Sequence, residues 1–220
     1  MRKVVSAAIR GGGALTADTA AIDAARDAGA RHILYTSHQA ASPDSRFPPQ
    51  RVHAATEDHL RRQGVPCTAL RNGFYAATLN SYIGAALATG TLAAPQDGPV
   101  SWTAHEDLAE AAAVALTEEG ALEGITPPLT APHVLDFAEV AEILGRITGR
   151  TVTRVVMDDD DWTSAAVAGG MPRPAADFAL TMFAASRNGE FDATDPTLEA
   201  VIGRPAKTVR EIVEAAVRSR

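Results

Sequence analysis

Helical and strand patterns alternate along the first half of the chain, and this alternation restricts the fold more than any single motif does. The helix pattern ADTAAIDAARDA, which we expect Thr16 to cap and Gly29 to end, is followed by the strand-like stretch HILYTS. A polar loop with three prolines then leads to the helix pattern RVHAATEDHLRRQ, which Gly64 ends, and to the strand-like run PCTAL. Helices that separate apolar strands in this order predict right-handed crossovers and a parallel sheet.

The rest of the chain carries mainly helical patterns. AATLNSYIGAALA reads as a helix that stops at Gly90, and VLDFAEVAEILGRITGR places Val134, Phe137 and Val140 at helical spacing. TVTRVVMD alternates like an edge strand. The acidic run Asp158–Asp161 precedes another helix pattern, whose positive N-terminal end it would complement. Further helices are expected in the C-terminal tail.

These patterns together predict an α/β fold in two parts. Residues 1–124 supply the alternating helices and strands of a parallel sheet. Residues 125–220 supply a smaller, mostly helical lobe, which we expect to close over the ends of the strands.

The composition of the chain restricts its partners. With a formal net charge of −7 over 220 residues, the chain does not offer the clustered Lys and Arg that nucleic acids and anionic membranes bind. No apolar run approaches the roughly 18 residues that span a membrane. The single cysteine, Cys67, lies in an apolar run and is expected to pack as a small hydrophobe. We therefore predict a cytoplasmic protein with no nucleic-acid, membrane or metal partner.

Polar stretches follow both predicted strands, at the ends where parallel sheets bind their ligands. The first stretch is YTSHQA and the second is RNGFY. The candidate binding residues in them are Tyr35, Thr36, Ser37, Asn72, Gly73, Phe74 and Tyr75. The plain alternative is that both stretches are ordinary polar loops, and topology alone does not distinguish the two.

Several blocks of the chain, in one order, carry a resemblance to a known family. They are AARDAGARHILYTS, HAATEDHLRRQGVPCTALRNGFY, SWTAHEDLAEAAAVAL, LDFAEVAEILGRITGRTVT and GEFDATDPTLEAVIGRPAKTV. In these blocks the chain resembles the NmrA-like atypical short-chain dehydrogenases/reductases, and among them the bacterial NAD(P)H:quinone oxidoreductase type. The resemblance runs from about Thr16 to the C-terminus. It implies a Rossmann-like domain over residues 1–124 that binds NADPH, and a lobe over residues 125–220 that binds a quinone-like small molecule.

One motif that the resemblance implies does not occur in this sequence. Family members begin with a strand and a G-x-x-G-x-x-G turn whose backbone amides hold the pyrophosphate, and no such spacing is present here. Gly11–Gly13 lack a preceding strand register, so we interpret them as flexible backbone. About the first third of the family pattern is absent. The sheet is therefore expected to be incomplete, and the chain to be either a fragment or a natural truncation.

The resemblance also assigns a role to one histidine. The chain has no Y-x-x-x-K pair, but related isoflavone-reductase-like enzymes have a lysine beside the nicotinamide ribose. Aligned on Gly64, that position is His53, which becomes the candidate catalytic residue. Glu57, one helical turn later, is expected to orient His53 and to favour its charged form. The plain alternative is a histidine–glutamate pair on a solvent-facing helix surface.

Within this hypothesis the two stretches divide between cofactor and substrate. The Asn72–Gly73 backbone is expected to approach the nicotinamide closely, and the aromatic pair Phe74 and Tyr75 to form a flat wall for a quinone ring. The alternative for Phe74 is a place in the core. The predicted cofactor-binding residues are Tyr35, Thr36, Ser37, His53, Asn72 and Gly73.

Three functions follow from the resemblance and stay open at this point. They are an NAD(P)H-dependent oxidoreductase acting on a quinone-like molecule, a non-enzymatic NAD(P) sensor that binds a protein partner, and an inert truncated homologue. Because the phosphate-binding motif is absent, NADPH binding is expected to be weak. A sheet without its first strands exposes an edge and an apolar face, which predicts homo-oligomers unless the segment VVSAAI covers that edge.

Overall fold

The computed structural model describes residues 2–5 and 13–218, with side chains from residue 13 onward. The strands are β1 (Arg2–Val5), β2 (His32–His38), β3 (Cys67–Asn72), β4 (Thr91–Pro95), β5 (Gly124–Ile125) and β6 (Thr153–Met157). The helices are α1 (Ala14–Asp27), α2 (Pro48–Arg62), α3 (Asn80–Thr89), α4 (His105–Thr117), α5 (Phe137–Thr148), α6 (Asp159–Ala168), α7 (Arg173–Arg187), α8 (Thr197–Ile202) and α9 (Val209–Arg218). A 3-10 turn over Ala76–Leu79 leads into α3.

The main sheet contains four strands in the spatial order β1-β2-β3-β5, and each neighbouring pair is parallel. A second sheet pairs β4 with β6, also in parallel. Neighbouring parallel strands need a crossover connection. Helix α1 lies in the connection from β1 to β2, and α2 lies in the connection from β2 to β3. The predicted α/β fold with a parallel sheet is therefore confirmed, and the alternating segment TVTRVVMD forms β6.

Strand β1 lies beside β2 on the side away from β3. A paired strand therefore does precede Gly11–Gly13 in the sequence, and the expectation that these glycines lack one was wrong. Val4 and Val5 pair with Leu34 and Tyr35, so the first two residues of VVSAAI cover that side of β2. The remaining residues of this segment lie outside the described residues, as do two of the three glycines interpreted as flexible backbone.

Two apolar clusters cover the two faces of the main sheet. On one face, Ile22 of α1 and Leu60 of α2 pack against Ile33. On the other face, Leu34 packs with Leu108 of α4. Successive residues of β2 thus face opposite layers, because side chains alternate along a strand. The helices α1 and α2 form one layer and α4 forms part of the other.

A third, larger cluster lies around the β4–β6 sheet. It draws Phe74 and Trp102 from the middle of the chain and Phe137, Phe183 and Val213 from later helices. Segments from both sides of residue 124 therefore contribute to one apolar cluster. The division of the chain at residue 124 stays a prediction.

The ends of the helices agree with the glycine signals, with one exception at α1. Gly29, Gly64 and Gly90 have φ of 70°, 68° and 74°, the left-handed conformation in which glycine ends a helix. Thr16 is not the cap of α1, and this expectation was wrong. The alanine-rich helix extends further back, and Gly13 occupies the N-cap position without a side-chain bond.

Side-chain caps begin two of the later helices. Asp158 accepts a hydrogen bond from the backbone N–H of Asp160 (2.8 Å), so the acidic run starts α6 as expected. Asp136 and Glu139 form a reciprocal capping box that begins α5. This box leaves Val134 outside the helix, although the apolar spacing had included it.

Residues 2–5 and 13–218 contain neither a membrane-spanning helix nor a cluster of metal-binding side chains. No helix there has the length and apolar character needed to cross a membrane. No group of three or more His, Cys, Asp or Glu side chains in these ranges is arranged to hold a metal ion. Cys67 is half-buried, and burial raises the pKa of its thiol.

Candidate functional site

The structure brings the two polar stretches to one edge of the main sheet. His38, at the end of β2, is in register with Asn72, at the end of β3. The backbone N–H of Gln39 donates to the carbonyl oxygen of Asn72 (2.8 Å). The ring of His53 on α2 stacks on the ring of His38, with 6.3 Å between centroids. Residues from β2, β3 and α2 therefore meet at the carboxyl edge, where parallel sheets bind ligands.

Tyr35, Thr36 and Ser37 do not face one direction. Tyr35 and Ser37 point to α2, where the Tyr35 hydroxyl lies 2.7 Å from His53 Nδ1 and Ser37 Oγ donates to Glu57 Oε1 (2.6 Å). The alternation of the strand places Thr36 on the opposite face. The side chains of Tyr35 and Ser37 are fully buried, so they support α2 in this structure. Direct cofactor contact by the three residues remains a prediction.

His53 is half-buried and is held by Tyr35 rather than by Glu57. Burial lowers the pKa of His53 to about 4, and the weaker attraction of the Glu57 charge acts in the opposite direction. Glu57 does favour the charged form of His53, as expected, but desolvation outweighs the carboxylate and the pKa of His53 falls. The imidazole is neutral near pH 7, and one of its nitrogens is engaged by a hydroxyl.

Glu57 belongs to a separate buried ion pair. Its carboxylate accepts two hydrogen bonds from Arg71, from Nε to Oε1 (2.9 Å) and from Nη2 to Oε2 (2.6 Å). The Glu57 side chain is 1% exposed, so the paired charge is taken almost completely out of water. With Ser37 as a further donor, this bidentate geometry fixes the middle of α2 against β2 and β3. The sequence reasoning missed Arg71, which stands directly before Asn72.

Asp18 is a second residue that the sequence reasoning missed. It lies on α1, is 3% exposed, and accepts a hydrogen bond from the Tyr35 hydroxyl (3.4 Å). Burial raises the pKa of its carboxyl group. A signal was present in the sequence, because Asp18 falls four residues after Ala14 and four before Ile22, on the apolar side of the helix. A carboxyl group on such a side needs a partner.

Asn72 and Gly73 differ in what they offer. Asn72 Oδ1 is buried and has no hydrogen-bond partner among the described residues. Gly73 is packed closely, because a Cβ atom there would lie 2.2 Å from Thr103 Oγ1 and 2.9 Å from the carbonyl oxygen of Leu129. Close packing inside the protein thus accounts for glycine at this position. Approach of its backbone to a nicotinamide remains a prediction.

Phe74 and Tyr75 do not form a common wall. The Phe74 ring is 6% exposed and packs against Phe191 (4.7 Å between centroids) and edge-on to Trp102 (5.5 Å). Tyr75 packs against His105, with 4.2 Å between centroids. Consecutive residues here face different clusters, so the predicted flat pair is not present in the structure. Contact of either ring with a substrate remains a prediction.

A row of aromatic rings does lead from the edge of the sheet to the surface. His38 meets Phe74 edge-on (5.6 Å), Phe74 is 6.2 Å from Phe47, and Phe47 is 5.3 Å from Phe178. Phe178 on α7 is 45% exposed, which is unusual for a ring of this size. The row offers an apolar surface beside the polar edge.

Gln39 connects this edge to the rest of the protein. Its Oε1 accepts hydrogen bonds from the Phe74 backbone N–H (3.0 Å) and from Ser101 Oγ (2.9 Å). Its Nε2 donates to the carbonyl oxygen of Phe191 (2.9 Å). One buried amide therefore holds the loop after β2 to three distant parts of the chain.

Comparison with known proteins places this arrangement in a family. The NmrA-like family matches residues 3–214. The NAD(P)H azoreductase of Xenophilus azovorans is 32% identical over 197 residues, which are 89% of this chain and 68% of the azoreductase.

Solved structures give the same result. The NADPH-dependent quinone oxidoreductase of Escherichia coli in complex with NADPH matches with a TM-score of 0.91 at 27% identity, over 98% of this chain and 76% of that one. The triphenylmethane reductase of Citrobacter sp. in complex with NADP(H) matches with a TM-score of 0.88 at 29% identity, over the same shares. The chain thus spans about two thirds to three quarters of the length of these relatives.

The chain belongs to the NmrA-like family, because the family match covers nearly all of it and a relative above 30% identity extends over most of its length. The family resemblance and the Rossmann-like fold predicted from the sequence are both confirmed. The relatives are NAD(P)H-dependent oxidoreductases.

Proposed function

We propose that this chain takes part in the NADPH-dependent reduction of a quinone-like small molecule at the carboxyl edge of β2 and β3. The observation that carries the proposal is the buried Asn72 Oδ1 at that edge, which has no partner in residues 2–5 and 13–218 and whose residue is in register with His38, on whose ring His53 stacks. The relatives that reduce quinones and dyes with NADPH or NADP(H) support it. The division into a cofactor domain over 1–124 and a substrate lobe over 125–220 remains part of the proposal.

The residues at the edge fit a nicotinamide. An amide oxygen without a partner, such as Asn72 Oδ1, costs free energy when buried and is satisfied by an N–H donor such as a carboxamide. Both amide atoms of Gln50, in the first turn of α2, likewise have no partner among the described residues. His53 offers Nε2 as a hydrogen-bonding atom for a ribose hydroxyl or a substrate oxygen. When bound, NADPH would supply the hydride.

The aromatic row gives the substrate a place beside this edge. Phe47 is half-buried and Phe178 is exposed, so their faces are open to a planar ring, whereas Phe74 lies behind them. A flat apolar substrate would exchange water for aromatic contact there. In this proposal Phe47 and Phe178 contact the quinone. Phe74, to which the sequence analysis assigned that contact, packs behind Phe47 and supports it.

Two measurements test the proposal, first the binding of NADPH and then the reduction of a quinone. Quenching of tryptophan fluorescence by NADPH should give a dissociation constant weaker than ~100 μM, since several charge-assisted bonds of about 1.5–3 kcal/mol each come from the glycine-rich turn that is not in this sequence. At saturating NADPH, 1,4-benzoquinone should be reduced faster than in a protein-free control.

The possible results separate the three functions. Reduction at the protein-free rate, together with NADPH binding, would overturn the reductase proposal in favour of an NAD(P) sensor. Neither binding nor reduction would favour an inert homologue. A low-micromolar dissociation constant would contradict the expected weakness of binding and leave the reductase proposal to the turnover assay.

A further inference from the structure

Three buried polar side chains form a continuous row behind the carboxyl edge, and we call them the interior row: Asp18, Tyr35 and His53. The Tyr35 hydroxyl lies 2.7 Å from His53 Nδ1 and 3.4 Å from Asp18 Oδ2. Asp18 and Tyr35 are almost completely buried, whereas His53 is half-buried. His53 Nε2 makes no hydrogen bond within the described part of the chain. The row thus runs from a buried carboxyl group to a ring nitrogen that is free to meet a ligand.

The middle hydroxyl has one proton and two neighbours that accept it. If Asp18 is ionised, Tyr35 donates to the carboxylate, and the phenolic oxygen accepts from His53 Nδ1–H. If Asp18 is protonated, its O–H donates to Tyr35, Tyr35 donates to His53 Nδ1, and the remaining ring proton resides on Nε2. The protonation of Asp18 therefore sets the tautomer of His53 through the hydroxyl.

The charged forms of Tyr35 and His53 are disfavoured in the interior row. Burial raises the pKa of the Tyr35 phenol, with the Asp18 carboxylate adding to the effect, so a tyrosinate is costly. Burial also lowers the pKa of His53, so an imidazolium is costly. A proton consequently passes along the row only when all three groups shift together, with no charge left on Tyr35 or His53.

We propose, resting on the proposed reductase function, that the interior row is a proton relay that delivers the proton which converts a reduced quinone to a quinol. The two-electron reduction of a quinone consumes one hydride and one proton. NADPH, the reductant, loses the hydride and is oxidised, and the quinone gains it and is left with an anionic oxygen. His53 then acts as the catalytic acid, while Tyr35 and Asp18 are positioning residues.

The proton balance along the row is complete. The N–H bond at His53 Nε2 breaks as an O–H bond forms on the quinol oxygen. His53 Nδ1 takes the Tyr35 proton, and Tyr35 takes the Asp18 proton. Asp18 is left as a carboxylate, which regains a proton from water before the next cycle.

Other charged and titratable groups face the row without being part of it. Glu57 on α2 is neutralised by its two bonds from Arg71, which reduces its effect on His53. His38 of β2 stacks on His53, and burial lowers the pKa of His38 to about 3, so it stays neutral. Burial raises the pKa of Asp18, which makes Asp18 the group whose titration changes the hydrogen bonds of His53.

The tautomer of His53 tests the relay directly and needs neither cofactor nor turnover. In protein labelled with ¹⁵N-histidine, the ring nitrogen shifts of His53 should change with pH from an Nε2–H form at low pH to an Nδ1–H form at higher pH. Loss of one signal in His53→Gln assigns the resonance. A tautomer that stays the same over the whole pH range in which the protein is folded would overturn the proposal.

Two substitutions show whether the change in the His53 tautomer depends on Tyr35 and Asp18. Tyr35→Phe removes the hydroxyl that contacts both Asp18 and His53, so the pH-dependent exchange of tautomers should disappear even though the neighbouring Thr56 hydroxyl is kept, and Asp18→Asn should abolish it as well. The matched control is Asp23→Asn, which removes a carboxylate of α1 that lies 2.9 Å from His59 instead. Unchanged behaviour in a folded Tyr35→Phe protein would also overturn the proposal. Should Asp18→Asn fail to fold, the wild-type titration and Tyr35→Phe decide the outcome.

A pair of substrates extends the test to turnover. A cationic triphenylmethane dye becomes neutral on accepting hydride and needs no proton, whereas 1,4-benzoquinone needs one. Tyr35→Phe should lower kcat for benzoquinone by about 10–100-fold more than it lowers kcat for the dye, and should leave KM for benzoquinone nearly unchanged. Equal losses with both substrates would overturn the relay. If wild-type protein reduces neither substrate, the reductase proposal fails, and the tautomer measurement still decides on the relay.

Discussion

Helices α1 and α2 are joined by two carboxylate–histidine connections that differ in depth. In the interior row, Asp18 reaches His53 through the buried Tyr35 hydroxyl. In what we call the surface pair, Asp23 Oδ1 lies 2.9 Å directly from His59 Nε2, with 41% and 19% of the side chains exposed. Burial lowers the pKa of His53 to about 4. The same residue types on the same helices thus carry a neutral, constrained imidazole in one place and a solvated contact in the other.

The two connections share their residue types and differ in the burial of the carboxylate, and only the interior row is proposed to take part in turnover. Around His59, Gln63 and Arg26 add contacts at the surface, where water competes for every donor and acceptor. Around His53, each neighbour is fixed by packing, and a change at one group alters the others. The following predictions test this contrast.

The largest effect is expected at Glu57, the buried charge beside the interior row. Arg71→Met should lower the free energy of unfolding by about 3 kcal/mol, because it leaves the Glu57 carboxylate buried without its bidentate partner. Urea denaturation measures the change. The matched control is Arg61→Met, whose side chain is 52% exposed and lies 3.8 Å from Glu57, with an expected loss of at most about 0.5 kcal/mol.

A second substitution identifies the cause of that loss. Glu57→Gln added to Arg71→Met should recover part of the stability, since it removes the uncompensated charge. A double variant less stable than Arg71→Met alone would mean that packing, and not the buried charge, dominates at this site.

The second largest effect is expected in the contribution of His53 to the pH dependence of the free energy of unfolding. The pKa of His53 is about 4 in the folded protein against an ordinary 6.5, so between these values the unfolded chain binds a proton that the folded chain does not. Its contribution to stability is fully present above pH 6.5 and is lost as the pH falls to 4, by up to about 3 kcal/mol in total.

Denaturation of wild type and His53→Gln from pH 7 to pH 4 measures this contribution. The stability of the variant should fall less steeply, by about 1.4 kcal/mol per pH unit. Parallel curves for wild type and His53→Gln would contradict the burial of His53.

A smaller effect in free energy, although a visible one, is expected on turnover. With NADPH and 1,4-benzoquinone, His53→Ala should lower kcat or NADPH affinity by about 10–100-fold, since one good hydrogen bond to a ribose hydroxyl or quinol oxygen is lost. His59→Ala should match wild type in both quantities. Wild-type turnover and affinity in His53→Ala would return His53 to a structural role.

The smallest effect is expected in the surface pair itself. A double-mutant cycle of Asp23→Asn and His59→Gln should give a coupling free energy below about 1 kcal/mol, decreasing further in high salt. A salt-independent coupling above 2 kcal/mol would contradict the contrast between the two connections.

The fold was largely predictable because its signals are local. The glycines at 29, 64 and 90 mark helix ends through their own backbone conformation, and the alternation of helix and strand patterns gave the parallel sheet. The start of α1 was missed for the same reason. A cap residue at Thr16 is a local preference, and Ala14 and Leu15, both good helix formers, allow the helix to begin before that residue.

The position of the site was predictable from the sequence, but the hydrogen bonds and contacts between its residues were not. The carboxyl ends of β2 and β3 followed from topology, whereas the partner of His53 depends on which face of α2 meets Tyr35. Asp18 lies 35 residues before His53 in the sequence, so no spacing rule relates the two. Likewise, Phe74 and Tyr75 are neighbours in sequence but belong to different packing clusters, which depends on tertiary structure alone.

The three hydrogen bonds of the Gln39 side chain have a consequence for how this protein is made. Its partners are contributed by Phe74, Ser101 and Phe191, the last of them 152 residues away. During synthesis the chain emerges from its N-terminus, and β2, β3 and α2 are available long before Phe191 is. The carboxyl edge therefore reaches its final form only after translation has passed Phe191, and in a nascent chain paused before that point water takes the place of Phe191 at the Gln39 amide.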